Sequence, residues 1–156
     1  MEQENVDTFR KMINIQCTLT VKDLTESVVI DMELPFPCVT EEFVNELELL
    51  EPFGKGNTKP VFAGRNIELL NGRILGKNKN VLKMQVKDGS QMIMDAMYFG
   101  NIPDFFAYLD RKYGEGTSNA LLVGRGEGIR MSLTYYPGMN EYMGRKNMQI
   151  VVTHYQ

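Results

Sequence analysis

Apolar residues recur along this chain with two different periods, and the change between them divides it. Near the N-terminus the spacing is helical. Val6, Phe9, Ile13 and Cys17 fall three and four apart, which predicts a helix over 5–17 that opens near Asn5 or Asp7. Ile13, Ile15, Cys17, Leu19 and Val21 also alternate as a strand would, so the stretch carries a second reading; the helix is the expectation. Thr20 and Asp23 then read as a short capping-box turn, and VVIDMEL over 28–34 as a short strand. A second helix is expected over 41–50. Thr40 is its N-cap, Glu41 and Glu42 suit the positive end of the helix dipole, and Val39 can staple to Val44. Phe43, Leu47 and Leu50 line one face, and Pro52 and Gly54 stop the helix.

Beyond that point the period shortens to two. A long, glycine-punctuated strand is expected over 64–76. In 80–87, Leu82, Met84 and Val86 point one way, while Val81, Lys83, Gln85 and Lys87 point the other. Asp88-Gly89 predicts a tight hairpin turn into a strand over 91–99. A helix follows at 103–113. Pro103 and Asp104 sit in its first turn, Phe106, Leu109 and Tyr113 form its apolar face, and Arg111 and Lys112 sit in its last turn before Gly114. Two strands close the chain, 129–136 with Ile129, Met131, Leu133 and Tyr135 on one face, and 147–154, with a loop at 137–146.

Three strands, a helix and two strands is the order of an OB-fold barrel, which commonly binds single strands and oligosaccharides. The expected fold class is therefore α+β, mainly β: a five-stranded OB-fold barrel with a helix between strands 3 and 4, preceded by a helix–strand–helix extension. The expected division is 1–55 for the extension and 56–156 for the barrel. The extension is too short to bury a good core alone, so it should dock on the barrel or on something outside it.

Composition narrows the function. The chain has 156 residues, 43% hydrophobic and 24% charged, enough apolar material for a real core. No apolar run approaches the roughly 18–20 residues of a membrane span, and the start, MEQENVDTFRK, is too polar for a secretory signal. Cys17 and Cys38 form no CxxC pair and no disulfide framework, which points to a reducing, cytoplasmic location. The one histidine, His154, lies two residues from the end. A Ser-His-Asp site would need it as base, and zinc sites built on several His or Cys lack ligands. Carboxylate-based metal catalysis stays open.

The net charge of −3 hides an uneven distribution. Residues 1–54 carry 3 basic and 12 acidic side chains, residues 55–87 carry 8 basic and 1 acidic, and residues 88–156 carry 6 basic and 7 acidic. The middle segment, net +7, is a candidate polyanion footprint or, equally, a solvated face paired with the acidic N-terminal third.

Several strings carry candidate chemistry. LEPFGKGNTKPVF (50–62) is a helix stop, a two-glycine turn and a proline-led strand entry. Its amides at Gly54 to Asn57, with Lys55 beside them, form a possible phosphate cradle; a plain structural turn is the favoured reading. NEYMGRKNMQIVV (140–152) offers Asn140, Tyr142, Arg145 and Lys146, an aromatic for stacking with basic groups for phosphate, or else an ordinary polar hairpin loop. Lys83, Gln85 and Lys87, with Arg73, Lys77 and Lys79 from the preceding turn, outline a basic sheet face. Tyr98 and Phe99 are further stacking candidates, with at least one of them expected in the core. GRGEG (124–128) lies between strands and opens no helix, so it reads as a turn or bulge rather than a nucleotide loop. The eleven methionines read as gap fillers in a core, not as a stripe. Glu41, Glu42, Glu46, Glu48 and Glu51 read as the solvated face of one helix. His154, alternating with Ile150 and Val152, reads as a satisfied, partly buried histidine.

Taken together, LEPFGKGN followed by PVF, then VLKMQV, YFGN and NEYMGRKNMQIVV, resembles the C-terminal region of RecJ-type single-stranded-DNA exonucleases of the DHH phosphoesterase superfamily. ENVDTFRKMINIQ and IDMELPF are similar to the stretch that leads from that family's second domain into its OB domain, so the likeness spans residues 4–154. The resemblance implies a larger layout: a catalytic domain with a DHH motif and two manganese or magnesium ions, an associated substrate domain, and an OB domain that grips single-stranded DNA. The chain contains no DHH string. It is therefore expected to be a non-catalytic C-terminal piece with no cofactor of its own, whose partners are single-stranded DNA and the upstream catalytic domains, with no membrane. The positions matching the family are Gly54, Gly56, Asn57, Lys83, Asn140, Tyr142, Gly144, Arg145 and Gln149. Two departures stand out: Val81 occupies the place of a usual histidine before Leu-Lys, and Thr58 and Lys59 precede Pro60 where proline usually follows the turn at once.

The expected DNA-contacting set is Lys55, Asn57, Arg73, Lys77, Lys79, Lys83, Tyr98, Asn140, Tyr142, Arg145 and Lys146. The competing reading is a structural or partner-binding domain that braces the catalytic core without holding DNA. A continuous exposed groove of the basic residues of 55–87 favours DNA. Their dispersal, or pairing with Glu41 to Glu51, favours the brace.

Overall fold

The computed structural model describes residues 5–20, 23, 27–142 and 144–156, and the side chains of Tyr142 and Arg145 lie outside the described set. Among these residues the elements run α1 (Val6–Gln16), β1 (Met32–Glu33), α2 (Glu41–Glu48), β2 (Phe62–Leu75), β3 (Val81–Lys87), β4 (Ile93–Tyr98), α3 (Ile102–Tyr113), α4 (Thr117–Leu122), β5 (Arg130–Tyr142) and β6 (Arg145–Tyr155). A 3-10 turn, Phe36–Cys38, lies between β1 and α2.

β2, β3, β4, β6 and β5 pair in that order, and β5 returns to β2, so five strands close into a barrel. β4 and β6 run parallel; the other barrel pairs are antiparallel. β1 adds a short parallel strand to β2. With α3 between the third and fourth barrel strands, this is the OB-fold.

The period-two pattern explains the interior. Leu82, Met84 and Val86 of β3, Met94 and Ala96 of β4, and Met131, Leu133 and Tyr135 of β5 all face one core. α3 covers the barrel with Ile102, Phe105 and Leu109, its N-terminus capped by Asn101, whose side chain accepts from the Asp104 amide at 3.2 Å. The buried aromatic on this helix is Phe105 rather than Phe106, which is only half-buried. α2 starts as expected, with the Thr40 hydroxyl accepting from the Phe43 amide at 3.1 Å. Its buried face is Val44 and Leu47, with Phe43 edge-on to Phe62; Leu50 lies past the helix end and is exposed.

The segment Leu34–Leu47 shares the barrel's core. Phe36 is fully buried and edge-on to Tyr135, whose hydroxyl donates to the Leu34 carbonyl. The Asp88 carboxylate accepts from the buried Phe36 amide at 2.9 Å and from the Ser90 amide at 2.9 Å. α1, by contrast, buries none of its residues. The Thr20–Asp23 turn forms, with the Asp23 carboxylate accepting from the Thr20 amide at 2.8 Å.

Three expectations are corrected. The strand at 28–34 pairs only at Met32–Glu33, because continuing the parallel register sets Ile30 opposite Pro60, which has no N–H for the ladder. The Asp88-Gly89 hairpin turn forms, but the strand after it begins later than residue 91. The Asp88 carboxylate is engaged with Phe36 and Ser90, the Gln91 amide bonds the Asp88 carbonyl at 3.0 Å, and β4 starts only at Ile93. Residues 137–146 are not a loop: β5 and β6 stay paired out to Tyr142–Arg145, forming a ribbon that turns through Gly144 at φ 73°. α4 was not expected; its six residues are too few for a periodic signal, and it is anchored by the Asp110 carboxylate, which accepts from the Ser118 amide and hydroxyl, both at 2.8 Å.

GRGEG is the return of the chain onto a bulge in β2. Gly124 and Gly128 take positive φ, and the Gly126 amide donates to the Leu70 carbonyl at 3.0 Å. The Gly128 amide donates to buried Glu68 at 2.9 Å. Glu68 also meets Lys87 of β3 at 3.0 Å and Arg130 of β5 at 3.6 Å. The Gly128 amide first, and Lys87 next, hold its carboxyl below the usual glutamate range.

A methyl group on Gly126 would collide with the Leu69 carbonyl oxygen and stand 2.8 Å from that of Leu70, backbone atoms that cannot swing aside. Gly126→Ala should therefore destabilise by about 1–3 kcal/mol, read by urea denaturation, while Gly89→Ala, facing open space, should change little. Glu68→Gln should lower stability at neutral pH. Since the folded-state pKa of Glu68 is depressed, its contribution is present above the unfolded value, about 4.3, and is lost as pH falls through the folded value. The gap between wild type and Glu68→Gln should close on acidification below that point; a gap constant from pH 7 to pH 3 would contradict the assignment.

Candidate nucleic-acid interface

The outward residues of the β2–β3 hairpin and β4 share one surface. Register sets Arg73 opposite Lys83 and Asn71 opposite Gln85, then Lys83 opposite Met97 and Gln85 opposite Asp95. A depression of about 1130 Å³ lies over Arg73, Lys83, Gln85 and Asp95, walled on one side by Leu122–Gly124 at the end of α4. A second, of about 250 Å³, lies over Gln85, Ile93 and Asp95 and reaches Asn147 and Met148 of β6. They share Gln85 and Asp95, so the surface continues across β2, β3, β4 and β6, about 15 Å at the usual strand spacing.

The floor of this surface is polar and internally paired. Lys83 Nζ is 2.7 Å from an Asp95 carboxylate oxygen, and the Asn71 side-chain amide donates to Gln85 Oε1 at 2.7 Å. At one end, the β2–β3 loop carries exposed Lys77 and Lys79; Gly76 and Lys79, with φ of 85° and 52°, make its tight reversal possible. At the other end stands the β5–β6 ribbon. There Asn140 pairs with Asn147 in register and Glu141 with Lys146, and Asn140 and Lys146 are exposed. Tyr142 and Arg145 are register partners at its tip; their side chains lie outside the described residues.

Thus the structure brings Arg73, Lys77, Lys79 and Lys83 together on one hairpin and sets Asn140, Tyr142, Arg145 and Lys146 on the ribbon beyond it. Three expected residues do not join them. Tyr98 is 7% exposed; its ring packs on Phe105 and Tyr155, and burial, reinforced by Tyr155, pushes its hydroxyl up to about 12. It is a core residue and presents no face for stacking. Asn57 is a structural tie: its side-chain amide donates to the carbonyls of Leu50 at 2.7 Å and Pro52 at 3.2 Å. The amides of Gly54 and Asn57 bond each other's carbonyls, so two of the four amides of the possible phosphate cradle are already used. Lys55 is exposed on that same turn and lines neither depression.

The remaining basic residues of 55–87 are engaged elsewhere. Lys59 sits 3.8 Å above the Tyr136 ring, Arg65 meets Glu33 at 2.6 Å and Lys87 meets Glu68. Among the described residues none of the eight pairs with the glutamates of α2. Asn71, Asp95, Asn147 and Met148 escaped the sequence reading. Asn71 lies in a strand without regular alternation, and only register brings it to Gln85 and Gln85 to Asp95. His154 is half-buried, with Nδ1 3.3 Å from the Thr134 hydroxyl, which fits a structural residue. Among the described residues no three His, Cys, Asp or Glu side chains gather as metal ligands. No helix of the described residues is long and apolar enough to cross a membrane.

The RecJ OB domain family model matches residues 30–154. A curated relative, the single-stranded-DNA-specific exonuclease RecJ of Bacillus subtilis (strain 168), is 27% identical over 154 residues, covering 97% of this chain and 17% of that protein. Two crystal structures of RecJ from Thermus thermophilus match over the whole chain at 15% identity. One is in complex with Mg2+ (TM-score 0.61, 21% of that chain) and the other with Mn2+ (TM-score 0.59, 20% of that chain). The chain thus spans about a fifth of the length of these relatives.

Because Asn57 ties a turn and faces no depression, Asn57→Ala should cost about 1–2 kcal/mol through its lost hydrogen bonds. Chemical denaturation measures this, and an unchanged midpoint would contradict the structural role.

Proposed function

Since this chain belongs to the RecJ OB domain family, we propose that it is the single-strand-binding portion of a RecJ-like 5′→3′ exonuclease of DNA repair and recombination, and that it is not catalytic by itself. The observation that carries this reading is the convergence of Arg73, Lys77, Lys79 and Lys83 on the β2–β3 hairpin, at a continuous surface bounded by the β5–β6 ribbon. Phosphates of a single strand meet these cations, and the polar floor of Asn71, Gln85 and Asn147 meets sugars and base edges without demanding a sequence. Manganese or magnesium belongs to the catalytic region outside these 156 residues. Residues 1–55 serve as the link to that region, with Leu34–Leu47 built into the barrel's core, and 56–156 as the strand-holding unit, in the cytoplasm.

One observation favours a second reading, a brace or partner-docking domain. The apolar side chains of α1, Phe9, Met12 and Ile13, are exposed, and three of the eight central cations are held in ion pairs. The two duties use different surfaces and are separable by measurement.

Fluorescence anisotropy of a labelled single-stranded oligonucleotide, at low and moderate salt beside a matched duplex, tests the proposal. Binding should prefer the single strand and weaken with salt. Arg73→Ala should reduce the slope of log affinity against log salt by about 0.7. Asp95→Asn, which removes the carboxylate beside Lys83, should tighten binding by about threefold to tenfold, a Coulombic term of about 1 kcal/mol. No binding at low salt, or binding indifferent to salt, overturns the DNA reading and leaves the brace.

A further inference from the structure

We propose that Phe99 is the base-stacking residue of this surface, forming with Lys77 and Lys79 a seat for one unstacked nucleotide at the β2–β3 loop end. The inference rests on the single-strand reading above and assigns the stacking role to Phe99, in place of Tyr98 of the expected contact set.

The placement follows from alternation and register. Along β4, Met94, Ala96 and Tyr98 are buried, whereas Ile93 is exposed and Asp95 and Met97 are half-buried. Phe99, one residue past the strand, continues the outward set and is 58% exposed. Leu82 pairs with Tyr98, so the next step sets Phe99 beside Val81, where β3 leaves the loop that carries Lys77 and Lys79. The backbone here is locked. Tyr98 turns inward against Phe105 and Tyr155, and its ring lies so close over Gly100 that a Cβ on Gly100 would collide with the Tyr98 hydroxyl. With Tyr98 fixed inside, its neighbour is held outside.

An exposed phenyl ring at the foot of a loop that carries two cations has a defined chemistry. Among the described residues Phe99 makes no ring contact with another aromatic side chain and sits under no cation, whereas Lys59 and Lys112 both lie over rings elsewhere. Lys77 and Lys79 form no ion pair among the described residues. The free π-face suits a base and the two ammonium groups suit the phosphates on either side of it. An unstacked nucleotide supplies both, and a base inside a duplex does not present its face.

The chain has no tryptophan, so Phe99→Trp introduces a unique fluorophore at the seat. Titrating this variant with an oligothymidylate should quench its emission, and the same oligonucleotide with abasic sites should bind without the quench. Phe99→Ala should weaken oligothymidylate binding about tenfold while leaving the affinity for the abasic strand and the salt slope unchanged. Phe99→Leu, which keeps apolar area without a π-face, should behave like Phe99→Ala. Equal affinities of wild type and Phe99→Ala, or full affinity in Phe99→Leu, overturn the stacking role and leave the single-strand reading standing. Absence of binding by the wild-type chain overturns both. A Phe99→Ala thermal midpoint matching wild type confirms that only the surface has changed.

Discussion

Every strand of a closed five-stranded barrel pairs on both edges, and in this chain the strand that makes the closing contact is β2. Its fourteen residues bond β3 through one half and β5 through the other, and β1 joins near its start. To do this β2 must bend, and it does so at two register shifts, between Gly64 and Ile67 and between Leu69 and Asn71. Gly64 admits the Ile67 side chain where a methyl would stand 2.9 Å from it, and Asn66 supplies a positive φ at the first bend. Glu68 lies between the bends. Its cross-strand neighbours are Lys87 on one side and Arg130 on the other, and it also takes the Gly128 amide. One buried carboxylate thus ties three strands at the place where the barrel closes.

Closure decides what remains outside. Once Leu82, Met84 and Val86 are committed to the interior, Lys83, Gln85 and Lys87 have no choice of side. α3 covers the barrel from within its connection, and the Phe36 turn packs on Tyr135, so neither occupies the outer surface of β3 and β4. The candidate interface is the part of the sheet that the core does not need.

The electrostatics of that surface differ from what segment charges imply. The net +7 of residues 55–87 does not form one uniform patch. Arg65 and Lys87 neutralise Glu33 and Glu68, Lys59 rests on aromatic rings, and Lys83 faces Asp95. What survives is a smaller cationic hairpin end at Arg73, Lys77 and Lys79.

The elements themselves were legible in the sequence because each depends on neighbours a few residues away. Alternation in 80–87, the Thr40 cap and the Gly114 stop of α3 are local statements, and they hold in the structure. The strand order was enough to name the barrel. Apart from the short α4 and the choice of Phe106 over Phe105, the failures were long-range. Proline opposite Ile30 shortens β1, the Asp88 carboxylate reaches across 52 residues to the Phe36 amide, and the 137–146 segment stays in strand because β5 and β6 keep each other's hydrogen bonds satisfied. Tyr98 and Phe99 make the same point most plainly. Sequence alone placed one of two adjacent aromatics inside, since consecutive strand residues face opposite ways. Which one went inside was decided by the packing of Phe105 and Tyr155, on α3 and β6, around the ring of Tyr98. Local periodicity determines that a residue alternates; only the register and packing of distant strands decide the face it shares and the company it keeps.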